Sequence, residues 1–329
     1  MRRHSCCPPA LLACALLVGS LLVGACAARP APSKVAEPAP DQYARLRAAE
    51  QLYRKDDPAF AAERDDLARD PVTAFWLTRL FVRDLMLARE GRETGRDYAR
   101  VQFNDVDSAT RVRTQTGDSD PLLRAAAGIK NPVEARALAQ IDALGAAAAP
   151  CIVHDLGCHP QAFVRELGVE LLARIGRPAL PAMEPLRASA REAERCVYVE
   201  ALGGMPPDAA STALLSAFVA DDSEFTVRAT AARALGRAGA DAAPRLRQTL
   251  ATDPDPFVRR TAAEALAAQR DAETAAALVG YLERCQQEHD RDGEATAQRA
   301  LQTLSRTRTP RTPAAWRAWS QSLGFAGGR

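Results

Sequence analysis

Two cysteines and two histidines crowd into nine residues, Cys151-Ile152-Val153-His154-Asp155-Leu156-Gly157-Cys158-His159. Thiolate and imidazole are ligands that zinc favours, so this is the densest source of metal chemistry in the chain. Attachment of a c-type haem would need a cysteine three residues before Cys158, and Asp155 stands there instead. On a helix over 147–156, Cys151 and His154 share a face, while Cys158 falls past the end. That placement suits a buried core cysteine at 151 and a capping role for His159. The expectation is therefore no metal and no cofactor, with Cys151, His154, Cys158 and His159 as the candidate ligands to inspect.

Other chemistry is sparse. No GxSxG, HExxH or phosphate-loop pattern occurs, so the chain reads as a non-enzyme. Of the 8 cysteines, Cys6, Cys7 and Cys14 lie in an apolar leader and Cys26 closes it. The remaining Cys151, Cys158, Cys196 and Cys285 allow three disulfide pairings. An intact helix between Cys151 and Cys158 opposes their approach, so Cys158–Cys196, between adjacent repeats, is the easier bridge. Charge also narrows the choices. Removing Arg2 and Arg3 with the leader leaves 41 basic residues against 41 acidic ones. A neutral chain gives no electrostatic case for nucleic acid, whose binding rests on neutralising phosphates.

The leader itself is an address. Arg2 and Arg3 precede a 14-residue apolar run from Ala10 to Val23, too short for a membrane span of about 20 residues. It ends in Val23-Gly24-Ala25-Cys26, which resembles the lipobox of bacterial lipoprotein precursors, with Val where Leu is commoner. The resemblance implies that residues 1–25 are removed and that Cys26 becomes the lipidated first residue. Several acyl chains anchor stably where one binds only marginally. Residues 26–40 follow as a tether with Pro30, Pro32, Pro38 and Pro40. In polyproline conformation it reaches roughly 40 Å. Ala27 after the cysteine lacks the acidic inner-membrane retention signal, so the resemblance points to the periplasmic side of an outer membrane.

Residues 41–128 read as an N-terminal helical region. Asp41 is the expected N-cap of a helix to Lys55, and Pro58 opens a second helix to Ala68. Asp70-Pro71 is a strong helix start for the apolar stretch Phe75 to Leu87. Arg79, Arg83 and Asp84 interrupt that stretch, which marks a core helix of a water-facing body that covers the first repeat. Glu90 to Asp120 is polar, with room for one helix.

The longest region is periodic. Val227-Arg228-Ala229-Thr230-Ala231-Ala232-Arg233-Ala234-Leu235 returns as Val258-Arg259-Arg260-Thr261-Ala262-Ala263-Glu264-Ala265-Leu266, and an earlier copy begins at Val164-Arg165. The Val-Arg pairs lie 63 and 31 residues apart, a repeat signature. Apolar positions 227, 231, 234, 235 and 238 share one face of a helix A. Helices A are expected near 133–144, 160–175, 190–202, 226–239, 256–267 and 293–304. Helices B are expected near 147–156, 179–188, 208–219 and 272–284, with another starting at Asp241. The arginines fall at Arg165, Arg195, Arg228 and Arg259, forming a structural ladder. Asn131, His159, Ser189, Asp222 and Asp253 are the expected capping row beside it.

These copies, Asp253 to Leu266 above all, resemble the HEAT repeat in its short, phycobilin-lyase-like form. The resemblance spans residues 129–305. It implies an all-α fold, a right-handed α-α superhelix, with the N-terminal region before it and a C-terminal cap over 306–329. Thr312-Pro313 starts that cap, where Trp316 and Trp319 share a face. Two enzymes of this fold are set aside. Deoxyhypusine hydroxylase needs repeated His-Glu ligands, and none of His154, His159 and His289 precedes a Glu. Phycobilin lyases act in the cytosol, against the export signal. The expected function is a lipid-anchored scaffold that binds a protein or peptide partner and contacts the membrane through its anchor. The alternative is a lyase-like or metal-binding accessory module acting on a cofactor-bearing substrate.

Overall fold

Asp70 begins the hydrophobic body. Its Oδ1 accepts from the Val72 and Thr73 amides at 3.0 and 2.9 Å, satisfying donors that a helix start leaves bare. The structure, a computed structural model, describes residues 35–89, 132–308 and 311–326. The leader, Cys26, most of the tether, the polar stretch 90–120 and Asn131 lie outside the described residues. The described helices belong to the unit that starts at Pro38.

That first core helix is α3 (Pro71–Arg89), preceded by α1 (Pro40–Arg54) and α2 (Phe60–Leu67). Pro40 takes the first helical position of α1, which puts the N-cap at Ala39 and leaves Asp41 inside the first turn. Gln42 Oε1 satisfies the Ala39 amide at 2.9 Å. Asp41 is therefore not the cap, because Pro40, whose fixed φ suits the first helical position, starts the helix two residues earlier than a cap at 41 would. Tyr53, Phe60 and Phe81 join the three helices with ring centroids 5.2–6.1 Å apart. The charged residues of α3 face partners: Asp84, fully buried, accepts from Arg54 at 2.5 Å, and Arg83 reaches Glu50 at 3.1 Å.

The array follows as α4 (Pro132–Leu144), α5 (Ala149–Ile152), α6 (Ala162–Ile175), α7 (Leu180–Arg187), α8 (Glu192–Gly204), α9 (Ala209–Asp221), α10 (Phe225–Leu235), α11 (Ala243–Thr252), α12 (Pro256–Leu266), α13 (Ala272–Glu288), α14 (Arg291–Ser305) and α15 (Pro313–Ala326). A 3-10 turn at Gly145–Ala148 leads into α5, which runs on as a π-helical turn, Val153–Gly157. By length and composition alone, Pro132–Gly157 would pass for a membrane span. Its apolar residues Ala137, Ile141, Cys151, Ile152 and Leu156 are fully buried, and α3 packs on it, as expected of a cover for the first repeat. Among the described residues there is no strand, and the fold is an all-α solenoid.

Two layers result. Helices α6, α8, α10, α12 and α14 stack side by side, while α11, α13 and α15 form the other layer toward the C-terminus. Small residues permit the stacking: a Cβ on Gly203 would lie 2.5 Å from Ala234 Cβ, so α8 and α10 touch almost backbone to backbone. Gly239, at φ +81, makes the left-handed turn from α10 toward α11. Pairing across the layers departs from the expected A-then-B unit. Helices α9, α11 and α13 each pack chiefly on the helix that follows them, across turns of two or three residues. The shorter connection sets the tighter hairpin. At the end, Trp316 is fully buried and donates from Nε1 to Gln298 Oε1 at 2.8 Å, so α15 closes the array.

Candidate interaction surface

The repeated arginines lie at the starts of α6, α8, α10 and α12, and each ties together the turn that precedes its helix. Nη1 donates to the main-chain carbonyl six residues back: Arg165 to His159 at 2.8 Å, Arg195 to Ser189 at 2.9 Å, Arg228 to Asp222 at 3.0 Å and Arg259 to Asp253 at 3.0 Å. The same guanidinium then reaches forward. Arg195 binds both oxygens of Asp222 at 2.7 and 2.9 Å, and Arg228 binds both of Asp253 at 2.9 and 3.2 Å. Arg259 faces Glu288 at 3.5 Å. The carboxylates raise the guanidinium pKa values of Arg195 and Arg228, chiefly through these hydrogen bonds. The ladder is structural, and its rungs cross from one repeat to the next.

The polar row beside it does not cap helices in the expected way. The N-caps are Gln161, Arg191, Glu224 and Asp255, two residues later. His159 Nδ1, Ser189 Oγ, Asp222 Oδ1 and Asp253 Oδ1 accept from those N-cap residues' own amides at 3.2, 3.0, 2.9 and 2.9 Å. The row thus shapes the turn ahead of the helix. An Asx-type bond to the second residue on is what short polar side chains make most readily.

The cysteine–histidine cluster is spread apart. Cys151, fully buried, points its thiol at Asp155 Oδ2, 3.6 Å away, and His154 Nδ1 lies 2.7 Å from Asp155 Oδ1. Arg79, from α3, grips the same carboxylate with Nε and Nη2 at 2.5 and 2.7 Å. Cys158 stands at the end of the π-helical turn, and His159 is in the turn network described above. Burial and the neighbouring Asp155 push the Cys151 thiol well above its ordinary pKa, which suits a neutral donor rather than a nucleophile. Among the described residues, no group of three or more His, Cys, Asp or Glu side chains is gathered to hold a metal. Cys196 is a thiol 3.9 Å from Thr230 Oγ1, so the Cys158–Cys196 bridge is not formed.

The turn edge of the array also carries residues that periodicity did not single out. Phe225 and Phe257, each 43% exposed, meet edge to face with centroids 6.2 Å apart. Both lie off the buried stripe begun by Val227 and Val258, and that offset was readable in the repeats. A groove of about 290 Å³, lined by Asp222, Arg228, Arg245, Gln248, Thr252 and Asp253, opens beside the same turns.

Comparison with known proteins agrees with this geometry. Residues 181–267 and 211–302 match the family described as HEAT repeats. No curated protein and no solved structure matches the chain. Residues 181–302 are HEAT repeats, a helical scaffold of the kind that mediates protein–protein interaction.

Proposed function

We propose that this chain is a non-enzymatic, lipid-anchored scaffold whose HEAT array docks a protein or peptide in the cell envelope. The observation that carries it is the Phe225–Phe257 pair, left 43% exposed on the turn edge. Aromatic side chains supply large contact area at little conformational cost, and they dominate the energetics of many interfaces. The anchor rests on Val23-Gly24-Ala25-Cys26, and the proline-bearing tether holds the array away from the lipid surface.

Two measurements test the reading. Cys26→Ala should move the protein from the membrane to the soluble fraction; unchanged fractionation refutes the anchor. Crosslinking in intact envelopes, followed by mass spectrometry, should recover a stoichiometric partner joined to residues of 181–302. Crosslinks found only outside the array would refute docking by the repeats.

A further inference from the structure

We infer that the Phe225–Phe257 edge receives an arginine-bearing segment of its protein partner, an inference that rests on the docking role proposed above. Many carboxylates of the array are matched to arginines, among them Asp222 with Arg195, Asp253 with Arg228, Glu283 with Arg317 and Glu273 with Arg247. Three carboxylates beside the two phenylalanines make no such pair. Glu192, Glu224 and Asp255 accept hydrogen bonds from Thr226 Oγ1 at 3.2 Å, Ser223 Oγ at 3.5 Å and the Phe257 amide at 2.8 Å, and Glu224 and Asp255 also act electrostatically on Arg195 and Arg228.

The three acids and two rings form one patch. The Thr226–Glu192 bond brings the first turns of α8 and α10 together, and the ring contact joins α10 to α12. Glu224 immediately precedes Phe225, and Asp255 lies two residues before Phe257. Nearby cations are already engaged: Arg195 and Arg228, which feel Glu224 and Asp255, hold Asp222 and Asp253. Arg191 holds Glu194 at 2.6 Å, and Arg260 lies 3.8 Å from Asp290. Arg260 also sits 6.0 Å from the Phe257 centroid, so one guanidinium already uses this ring.

The chemistry of the patch selects its ligand. A guanidinium is planar, stacks on an aromatic face and donates to carboxylates in a fork, which a lysine cannot do. An anionic ligand would meet three unpaired carboxylates. A purely apolar one would bury them without compensation. A segment that places arginine beside an apolar side chain satisfies both the rings and the acids.

The test uses the full chain in detergent and two fluorescein-labelled octapeptides, one of four Arg-Leu pairs and one of four Glu-Leu pairs. Fluorescence anisotropy should show saturable binding of the Arg-Leu peptide and none of the Glu-Leu peptide. Both Phe225→Ala/Phe257→Ala and Glu192→Gln/Glu224→Gln/Asp255→Asn should weaken binding at least tenfold. Glu184→Gln, on α7 away from the edge, should not change it, and all variants should keep the wild-type melting temperature within a few degrees. Equal affinity in every variant overturns the inference. So does sedimentation showing self-association that Phe225→Ala/Phe257→Ala abolishes, since the occupant would then be a second copy. The two readings fail separately: an envelope partner crosslinked equally by wild type and by the double phenylalanine variant keeps the scaffold and refutes the edge.

Discussion

Arg228 grips both carboxylate oxygens of Asp253, which lies 25 residues ahead, while its Nη1 holds the Asp222 carbonyl behind it. Both residues are buried, with side chains 11% and 5% exposed. Removing one partner of such a pair strands the other charge. Arg228→Ala should therefore lower stability by about 3 kcal/mol, read as a fall in the urea midpoint. Arg174→Ala, which loses an exposed pair with Asp142, should cost no more than about 1 kcal/mol. Equal losses in the two variants would contradict the role given to the ladder.

The joint between α3 and the first repeat should be sensitive to acid. Burial alone would raise the pKa of Asp155, but hydrogen bonds from His154 and Arg79 more than offset it, and the net shift is downward. The unfolded chain thus takes up this proton more readily than the folded one. The carboxylate's contribution is complete above the ordinary aspartate range, about pH 4, and is lost as pH falls through the lower folded value. Asp155→Asn should be less stable than wild type at pH 7, and the gap should narrow below about pH 4. A gap independent of pH would sink this account.

Trp316 seals the last repeat. Trp316→Ala should cost about 3–5 kcal/mol through the cavity it leaves, and it also takes the indole donor from Gln298 Oε1. Trp316→Phe should recover most of that loss. Near-ultraviolet circular dichroism and thermal melting would report both changes, and a neutral Trp316→Ala would show that α15 is not a cover.

Cys151 and Cys285 are buried thiols whose pKa values are raised, first by desolvation. Pulsed alkylation at pH 8 should leave both unmodified in the native protein. In rising urea their labelling reports opening at opposite ends of the array. Because each repeat contacts only its neighbours, the two midpoints are expected to differ. Rapid native labelling of Cys151 would mean that the α3 cover is open.

Helices and their order were legible because alanine, leucine and the Asp-Pro starts act locally. The ladder arginines were legible too, through their spacing. Their partners were not, since Asp222 and Asp253 meet Arg195 and Arg228 only once neighbouring repeats stack. A reading of one helix at a time therefore took those aspartates for caps. Asp41 failed for a similar reason: proline at 40 fixes the helix start, whatever side chain follows. The cysteine–histidine cluster looked compact along the chain, yet Arg79, 76 residues before Asp155, decides where its carboxylate points. The aromatic edge was present in the letters as two phenylalanines off the buried stripe. Its meaning needed the contact between them.

Asp253 belongs to two repeats at once: its carboxylate serves Arg228, and its carbonyl serves Arg259. Asp222 stands in the same relation to Arg195 and Arg228. Each such aspartate is therefore a shared joint between neighbouring repeats. Excising residues 222–252, one period, would bring Arg195 to Asp253 with the remaining rungs re-formed. Gene duplication could lengthen or shorten such an array at that seam without inventing a new contact.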